Sequence, residues 1–541
     1  MLIRLSRLLA LGSIAVVLAS CAQQTQDRTG AHTDDFGTPV GTQAVREGGE
    51  LVMGLSAEPD RLDPTTSSSL ITRYIMSSVC EKLYDSDSSG KLVPQLATAL
   101  PTVSGDGLTV TIPVRTGIEF ADGTKFDAAA VQTSLQRHLT LPGSQRTSEM
   151  GPIAAVETNG ADQVVIKYKT PFAPITAALA DRAGMIMSPA ELTKAGNDFG
   201  DNPVCVGPFK FVKRVPQTSI VVERDPRYYD AKNVHLDSIT YRIMADANIR
   251  GTNLRSGDVQ VADYISPQDV DALSKEPNLR LLQTRSLGFM GMYLNVGNVD
   301  GVGKPAKPID TPLAKDARVR TALALSIDRS ALVNTVFNNW FEATCTPIVP
   351  DSTYATKSAT ECPAYDPKKS LSLLAEAGVQ TPYKIKLQVQ NSQDRLRYAQ
   401  ALQAQLKEGG FDLEIIPTEY STLLDVQKKG TYEALLLGWS GRIDPDANVS
   451  RFLTTGSSGN YSGYSSTALD DLLGKAARTT DTAQRADLYA QAVKLVQQDN
   501  PYLYTYRERL LTVHTTKVTG IEVYPDGVVR LGKAAFLANA G

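Results

Sequence analysis

Eleven consecutive residues concentrate the chemistry of this chain: Gly438-Trp439-Ser440-Gly441-Arg442-Ile443-Asp444-Pro445-Asp446-Ala447-Asn448. An arginine can fork two parallel N–H groups onto a carboxylate. An aspartate can receive an ammonium. A peptide offers both of those groups plus backbone donors and acceptors. A receptor that ignores side-chain identity should grip the backbone and pair the ends by charge. In that reading Gly438 admits a close ligand strand. Trp439 is an apolar wall with Ser440 beside it, Arg442 takes a carboxylate, and Asp444 or Asp446 takes an amine. A second reading makes Trp439 core packing and Asp444-Pro445-Asp446 turn and cap chemistry.

Catalytic patterns do not emerge. Gly438-Trp439-Ser440-Gly441 is one residue short of G-x-S-x-G, and H-E-x-x-H, the Walker A loop and G-x-G-x-x-G are missing. His32, His138, His235 and His514 stand in no acid–base pattern. The run from Asp444 imitates an EF-hand start, but Val449 and Thr455 occupy the places of its glycine and glutamate. The expectation is a binding protein without metal or cofactor, not an enzyme.

The elements that position the loop follow from periodicity. Strands are expected at Ile385–Gln390, Phe411–Pro417 and Tyr432–Leu437, with helices at Asp394–Glu408 and Ser421–Lys429 between them. Short β-α-β-α-β connections imply a parallel sheet, whose strand ends share one rim where ligands bind. That rim gathers Asn391, Pro417-Thr418-Glu419 and Gly438-Trp439-Ser440. A helix is expected from Asp316 to Trp340. A tyrosine-rich strand at Pro501–Leu511 carries Tyr504 and Tyr506 to the opposite side of the site. Earlier in the chain, the loop after strand Glu50–Leu55 offers Glu58, and the helix Ile71–Tyr84 offers Tyr74. Gly/Pro-rich residues 298–315 and the stretch 508–516 are the expected crossings between two lobes.

The ends and the totals set the compartment. Arg4 and Arg7 precede an apolar stretch, Leu8 to Leu18, too short to span a bilayer. Leu18-Ala19-Ser20-Cys21 then reads as a lipobox, so Cys21 is the expected lipidation site, with acyl chains holding the protein at the membrane. Loss of Arg4 and Arg7 takes the formal charge from −3 to −5, which argues against a nucleic-acid partner. Residues 22–48, poor in large apolar side chains, read as a tether. Four further cysteines in an exported protein suggest disulfides. Three connectivities are open, and Cys345–Cys362 with Cys80–Cys205 is favoured because Cys345 and Cys362 flank a Pro/Ser/Thr-rich loop.

Motifs in fixed order then carry a resemblance. LDP, CEKLY, LVPQLA, GLTVTIPVRTGIEFADGTKFDAAAV, VGPFKF, YLN at Tyr293–Asn295, VRTALALSID at Val319–Asp328 and GWSGRIDPD together resemble the family 5 extracellular solute-binding proteins, the receptors of ABC importers. The resemblance implies an α/β, two-lobed periplasmic-binding-protein fold (type II, cluster C-like) with an extra subdomain in lobe 1. Its expected divisions are a signal peptide at 1–20 and a tether at 21–48. Lobe 1 takes 49–90, 201–297 and 511–541, its extra domain 91–200, and lobe 2 takes 298–510. The implied role is capture of a peptide by an exported, lipid-anchored monomer that delivers it to a permease and ATPase. Alternatives on the same fold are haem, a nickel chelate, an opine-like molecule or a non-transport envelope role. One departure stands out. Family receptors for dipeptides and oligopeptides place an amine-pairing aspartate shortly after GW, where this chain has Arg442. Dipeptide receptors have a carboxylate-pairing arginine near the end of the 385–390 strand, where this chain has Asn391, with Arg395 and Arg397 further along. Dipeptide specificity therefore does not follow.

Overall fold

The structure, a computed structural model, describes residues 32–539. Cys21, the leader and the first part of the expected tether lie outside the described residues.

Two sheets organise the chain from Thr33 onward. The first has seven strands in the order Phe209–Val215, Ser219–Arg224, Ser238–Ile243, Glu50–Leu55, Val261–Ala262, Arg509–Thr515 and Leu279–Arg285. The second has six, in the order Glu342–Ala343, Tyr502–Arg507, Phe289–Leu294, Ala434–Trp439, Tyr383–Gln390 and Phe411–Thr418. Within it the three strands expected to be parallel are parallel, and Phe289–Leu294 runs antiparallel beside Ala434–Trp439. The helices between them follow local signals. Glu419 accepts a hydrogen bond from the Thr422 N–H at the start of Tyr420–Lys429, and Gly430 ends that helix in the left-handed region.

Burial on both faces explains the apolar run that leads into the loop. Leu435 and Leu437 join Phe289, Tyr293, Tyr502 and Tyr504 in one core. Ala434 and Leu436 join Met290, Met292 and Leu503 in another, on the opposite face. A strand with two buried faces shows no polar alternation. The first lobe has its own core, which extends into a separate four-stranded antiparallel sheet (Thr102–Val103, Thr109–Pro113, Gln163–Tyr168, Ile153–Thr158) and its helix Ala128–Thr140. Cys80 is bonded to Cys205 and Cys345 to Cys362, with Cα separations of 4.9 and 5.5 Å.

Several features differ from the sequence expectation. The chain leaves the first sheet at Arg285 and enters the second at Phe289, so the first crossing is Ser286-Leu287-Gly288 and not residues 298–315. An all-apolar strand such as Phe289–Leu294 fits a buried place in either sheet, and its neighbours alone decide. Gly288 lies against the Trp439 carbonyl, where a Cβ has no room. The expected single strand Pro501–Leu511 is two, Tyr502–Arg507 and Arg509–Thr515, one in each sheet, with Glu508 between them. The expected helix from Asp316 to Trp340 is two, Ala317–Leu325 and Arg329–Phe337, because Asp328 caps a new start on the Ala331 N–H. Residues 33–48, expected to be tether, pack on the first lobe. The Asp35 N–H bonds the Gln283 carbonyl at 2.8 Å, Arg280 pairs with Asp35 at 3.0 Å, and Val45–Arg46 pairs with Ala535–Leu537. Backbone pairing to a ready sheet edge orders a polar segment that has no core of its own. Among the described residues no helix is long and apolar enough to cross a membrane.

Candidate ligand-binding site

A cavity of about 1360 Å³, counting its mouth, opens between the two sheets. The first lobe lends Ser56, Ser68, Ile71 and Tyr264; the second lends Met290, Phe337, Arg395, Tyr420, Trp439 and Phe452. Glu508, the residue between the two sheets, lines it as well. Apolar and aromatic residues make up the larger share of the walls, and serine, glutamine and charged side chains the rest, a make-up that suits a small-molecule site.

Of the opening loop, Gly438, Trp439 and Ser440 reach this cavity. Gly438 is pressed against Met290 and the Phe289 carbonyl, so a Cβ would clash with the neighbouring strand. The Trp439 indole N–H donates to Asn448 Oδ1 at 2.9 Å, and its ring meets Phe452 edge-on at 5.1 Å. The Arg442 guanidinium sits 4.1 Å from the indole centroid. Asn448 also accepts from the Arg442 N–H at 2.8 Å and donates to the Arg442 carbonyl at 2.8 Å. It thus staples the loop shut.

The charges of the loop are spent inside the protein. Arg442 does not line the cavity; it is buried and paired with Asp181 of the first lobe. Asp181 also receives Arg73 Nε at 2.8 Å, and Arg73 bonds the Asp526 carbonyl at 2.6 Å and its carboxylate at 3.1 Å. Burial alone would raise the Asp181 carboxyl, but Arg442, Arg73 and Arg182 outweigh it and hold it well below the carboxylate range. A second contact joins the lobes nearby, Arg451 to Glu149, with Ser148 bonded to Ser458 at 2.8 Å. Asp444 is gripped by Arg485 through both oxygens, at 2.7 and 2.9 Å. Asp446 is buried, accepts from Ser450 at 2.6 Å, and is pushed up to about 7 by burial and then by Asp444.

The remaining sequence candidates do not line the cavity. Glu58 pairs with Arg214 at 2.9 Å and accepts from the Gln217 N–H, while its neighbours Ser56 and Ala57 reach the cavity. Tyr74 is 2% exposed within the first core. Asn391 is exposed, and the cavity is lined instead by Gln390, Ser392 and Gln393. Tyr504 packs on Phe289 at 4.8 Å. Tyr506 stacks on Phe341 at 5.7 Å and bonds Arg395 through its hydroxyl. Two residues apart, Tyr504 and Tyr506 would share a face of a regular strand; a register shift opposite Met290 and Gly291 sends Tyr506 into the other core.

Other lining residues had weaker sequence signals. Arg395 Nη2 meets Glu508 Oε1 at 2.6 Å, and the Tyr264 hydroxyl donates to Glu508 Oε2 at 3.2 Å. Tyr264 has φ +46°, a left-handed backbone that a tyrosine rarely adopts. Buried Arg250 fixes that turn by donating to four carbonyls, those of Met244, Ala245, Asp263 and Tyr264, at 2.6–3.1 Å. Burial, and then nearby carboxylates, push the Tyr264 hydroxyl well up, so it stays a donor. Arg395 lies four residues beyond Asn391, the rim position read from that strand end. Glu508 and Tyr264 carried no motif. Among the described residues no cluster of three or more His, Cys, Asp or Glu is arranged to hold a metal ion.

Two α/β lobes, two chain crossings and a cavity between them define a two-lobed ligand-binding protein. Residues 91–460 match the family model for bacterial extracellular solute-binding proteins, family 5 Middle. The chain belongs to that family. It is 30% identical over 538 residues to the glutathione-binding protein GsiB of Escherichia coli (strain K12) and to that of Shigella dysenteriae serotype 1, covering 96% of both chains in each case. Among solved structures, AgaA from A. tumefaciens R10 in complex with agropinic acid aligns with TM-score 0.80 at 26% identity, covering 90% of this chain and 96% of that one. The oligopeptide-binding protein AppA of Bacillus subtilis, with a nonapeptide, aligns with TM-score 0.82 at 23% identity, covering 91% and 99%. The latter likeness is one of fold.

Proposed function

We propose that this chain is the lipid-anchored, monomeric substrate-binding subunit of an ABC importer, capturing short peptides between its lobes and passing them to a membrane permease. The cavity carries the reading: it draws its walls from both sheets and has Glu508 at the point where the chain passes between them. Such a site fills when the lobes close and empties when they part. The two relatives named for glutathione support a small peptide as cargo, with glutathione itself as the first candidate. An opine-like acid is the second reading, favoured by the likeness to AgaA.

Native mass spectrometry of the purified protein tests the cargo. A retained mass equal to a di- to tetrapeptide is expected. Retained haem or a nickel chelate would overturn the peptide reading. For the anchor, Cys21→Ser should release the protein from the membrane fraction and remove the mass of its acyl chains. A variant still membrane-bound would sink the lipidation assignment.

A further inference from the structure

Four charged side chains line the cavity: Arg250, Asp394, Arg395 and Glu508. Two of them are committed elsewhere. Arg250 gives its donors to four backbone carbonyls. Asp394 accepts from Ser266 at 3.0 Å and Arg397 at 3.1 Å. Arg395 and Glu508 remain, bonded to each other at 2.6 Å, with side chains 13% and 11% exposed. A guanidinium has five donors, and the bonds to Tyr506 and Glu508 use two. A carboxylate has about four acceptor positions, and Arg395 and Tyr264 fill two. The pair thus presents one cation and one anion side by side on an otherwise mostly apolar wall.

From this geometry we infer that Arg395 and Glu508, steadied by Tyr264, are the head-group site for an α-amino-acid zwitterion. The inference rests on the peptide reading above and narrows it. A ligand that carries ammonium and carboxylate on one carbon lies antiparallel to the pair. Its carboxylate meets Arg395 and its ammonium meets Glu508 together, and the 2.6 Å bond need not break. The termini of an extended α-linked tripeptide are roughly 10 Å apart, so only one of them can reach this pair. A γ-glutamyl peptide keeps both charges on one carbon and sends the rest of its chain away from them. The surrounding architecture fits a fixed receptor. The strained Tyr264 backbone is held by the Arg250 clamp, and Arg395 by Tyr506. Glu508 belongs to neither sheet but to the crossing, so the site joins both lobes and is complete when they close.

The test is calorimetry on the whole protein with two isomers of one composition, γ-glutamyl-cysteinyl-glycine and α-glutamyl-cysteinyl-glycine. The γ-linked isomer should bind about ten- to a hundredfold more tightly, the value of one lost charge-assisted contact. N-acetylation of the γ-linked isomer should cost a similar factor. Glu508→Gln and Arg395→Gln should each erase the preference between isomers, with circular dichroism reporting whether the variants fold. The isomer comparison on the unmutated protein stands even where they do not. Equal affinity for the two isomers overturns the head-group site and leaves the peptide reading intact. Binding of neither isomer, with no retained peptide by mass spectrometry, overturns the peptide reading and the site with it.

Discussion

Two arginine–carboxylate centres, one on the cavity wall and one anchoring the Trp439 loop, differ in what they face. Arg395–Glu508 borders the cavity and keeps part of its surface open. Arg73–Asp181–Arg442 joins the lobes with almost none, its side chains being 3%, 6% and 7% exposed. Both desolvate charge, which is costly unless each ion keeps its partners. The first can accept ligand charge in addition to its own pair. The second satisfies one buried carboxylate with several guanidinium groups, and its ionic bond across the lobes exists only while they are together. Charge near a binding loop is therefore not evidence of ligand contact. What separates recognition from closure is whether the group borders open space.

The sharpest way to break this contrast is Asp181→Ala, which strands Arg73, Arg442 and Arg182 without their common partner. Loss of about 3–5 kcal/mol in urea unfolding is expected. An unchanged midpoint would show that the cluster opens to water without consequence. Next comes Trp439→Ala, which removes the ring under Arg442 and beside Phe452 and also a piece of cavity wall. It should cost about 2–3 kcal/mol of stability and weaken every ligand, as read by calorimetry.

Arg442→Ala sharpens the contrast further. It should leave the preference between ligands unchanged and weaken all of them equally, by about 1–2 kcal/mol, because it raises the free energy of the closed state alone. Small-angle scattering should show a larger radius of gyration without ligand. A change in ligand preference would return Arg442 to the recognition site.

A pH-dependent contrast belongs to Asp446. Its folded pKa, about 7, lies above the ordinary carboxylate value, so the folded protein keeps a proton that the unfolded chain has released. This stabilisation is full below about pH 4 and is lost as pH rises to 7. Asp446→Asn should flatten that slope and be more stable than wild type at pH 8. A parallel pair of stability–pH curves would contradict the raised carboxyl.

Much of the second lobe was legible in the chain. Apolar runs of strand length, Gly410 and Gly430 after helices, and short connections give its parallel strands and therefore the rim that carries Gly438, Trp439 and Ser440. The crossing was not legible, because Phe289–Leu294 is apolar throughout and suits either sheet. Arg442 and Asp444 look alike in sequence to a pair of ligand-binding charges. Asp181 and Arg485, which occupy them, are 261 residues earlier and 41 later. Glu508 was hidden for the opposite reason: it interrupts what reads as one long strand.

The sequence by itself determined the family, the α/β layering and which strand end of the second lobe reaches the cavity, since periodicity and turn residues act over short stretches of chain. Which charges face the cavity was decided only by the tertiary structure. A guanidinium is ligand-binding or structural according to what folds against it, and for Arg442, Arg395 and Glu508 those neighbours come from distant parts of the chain.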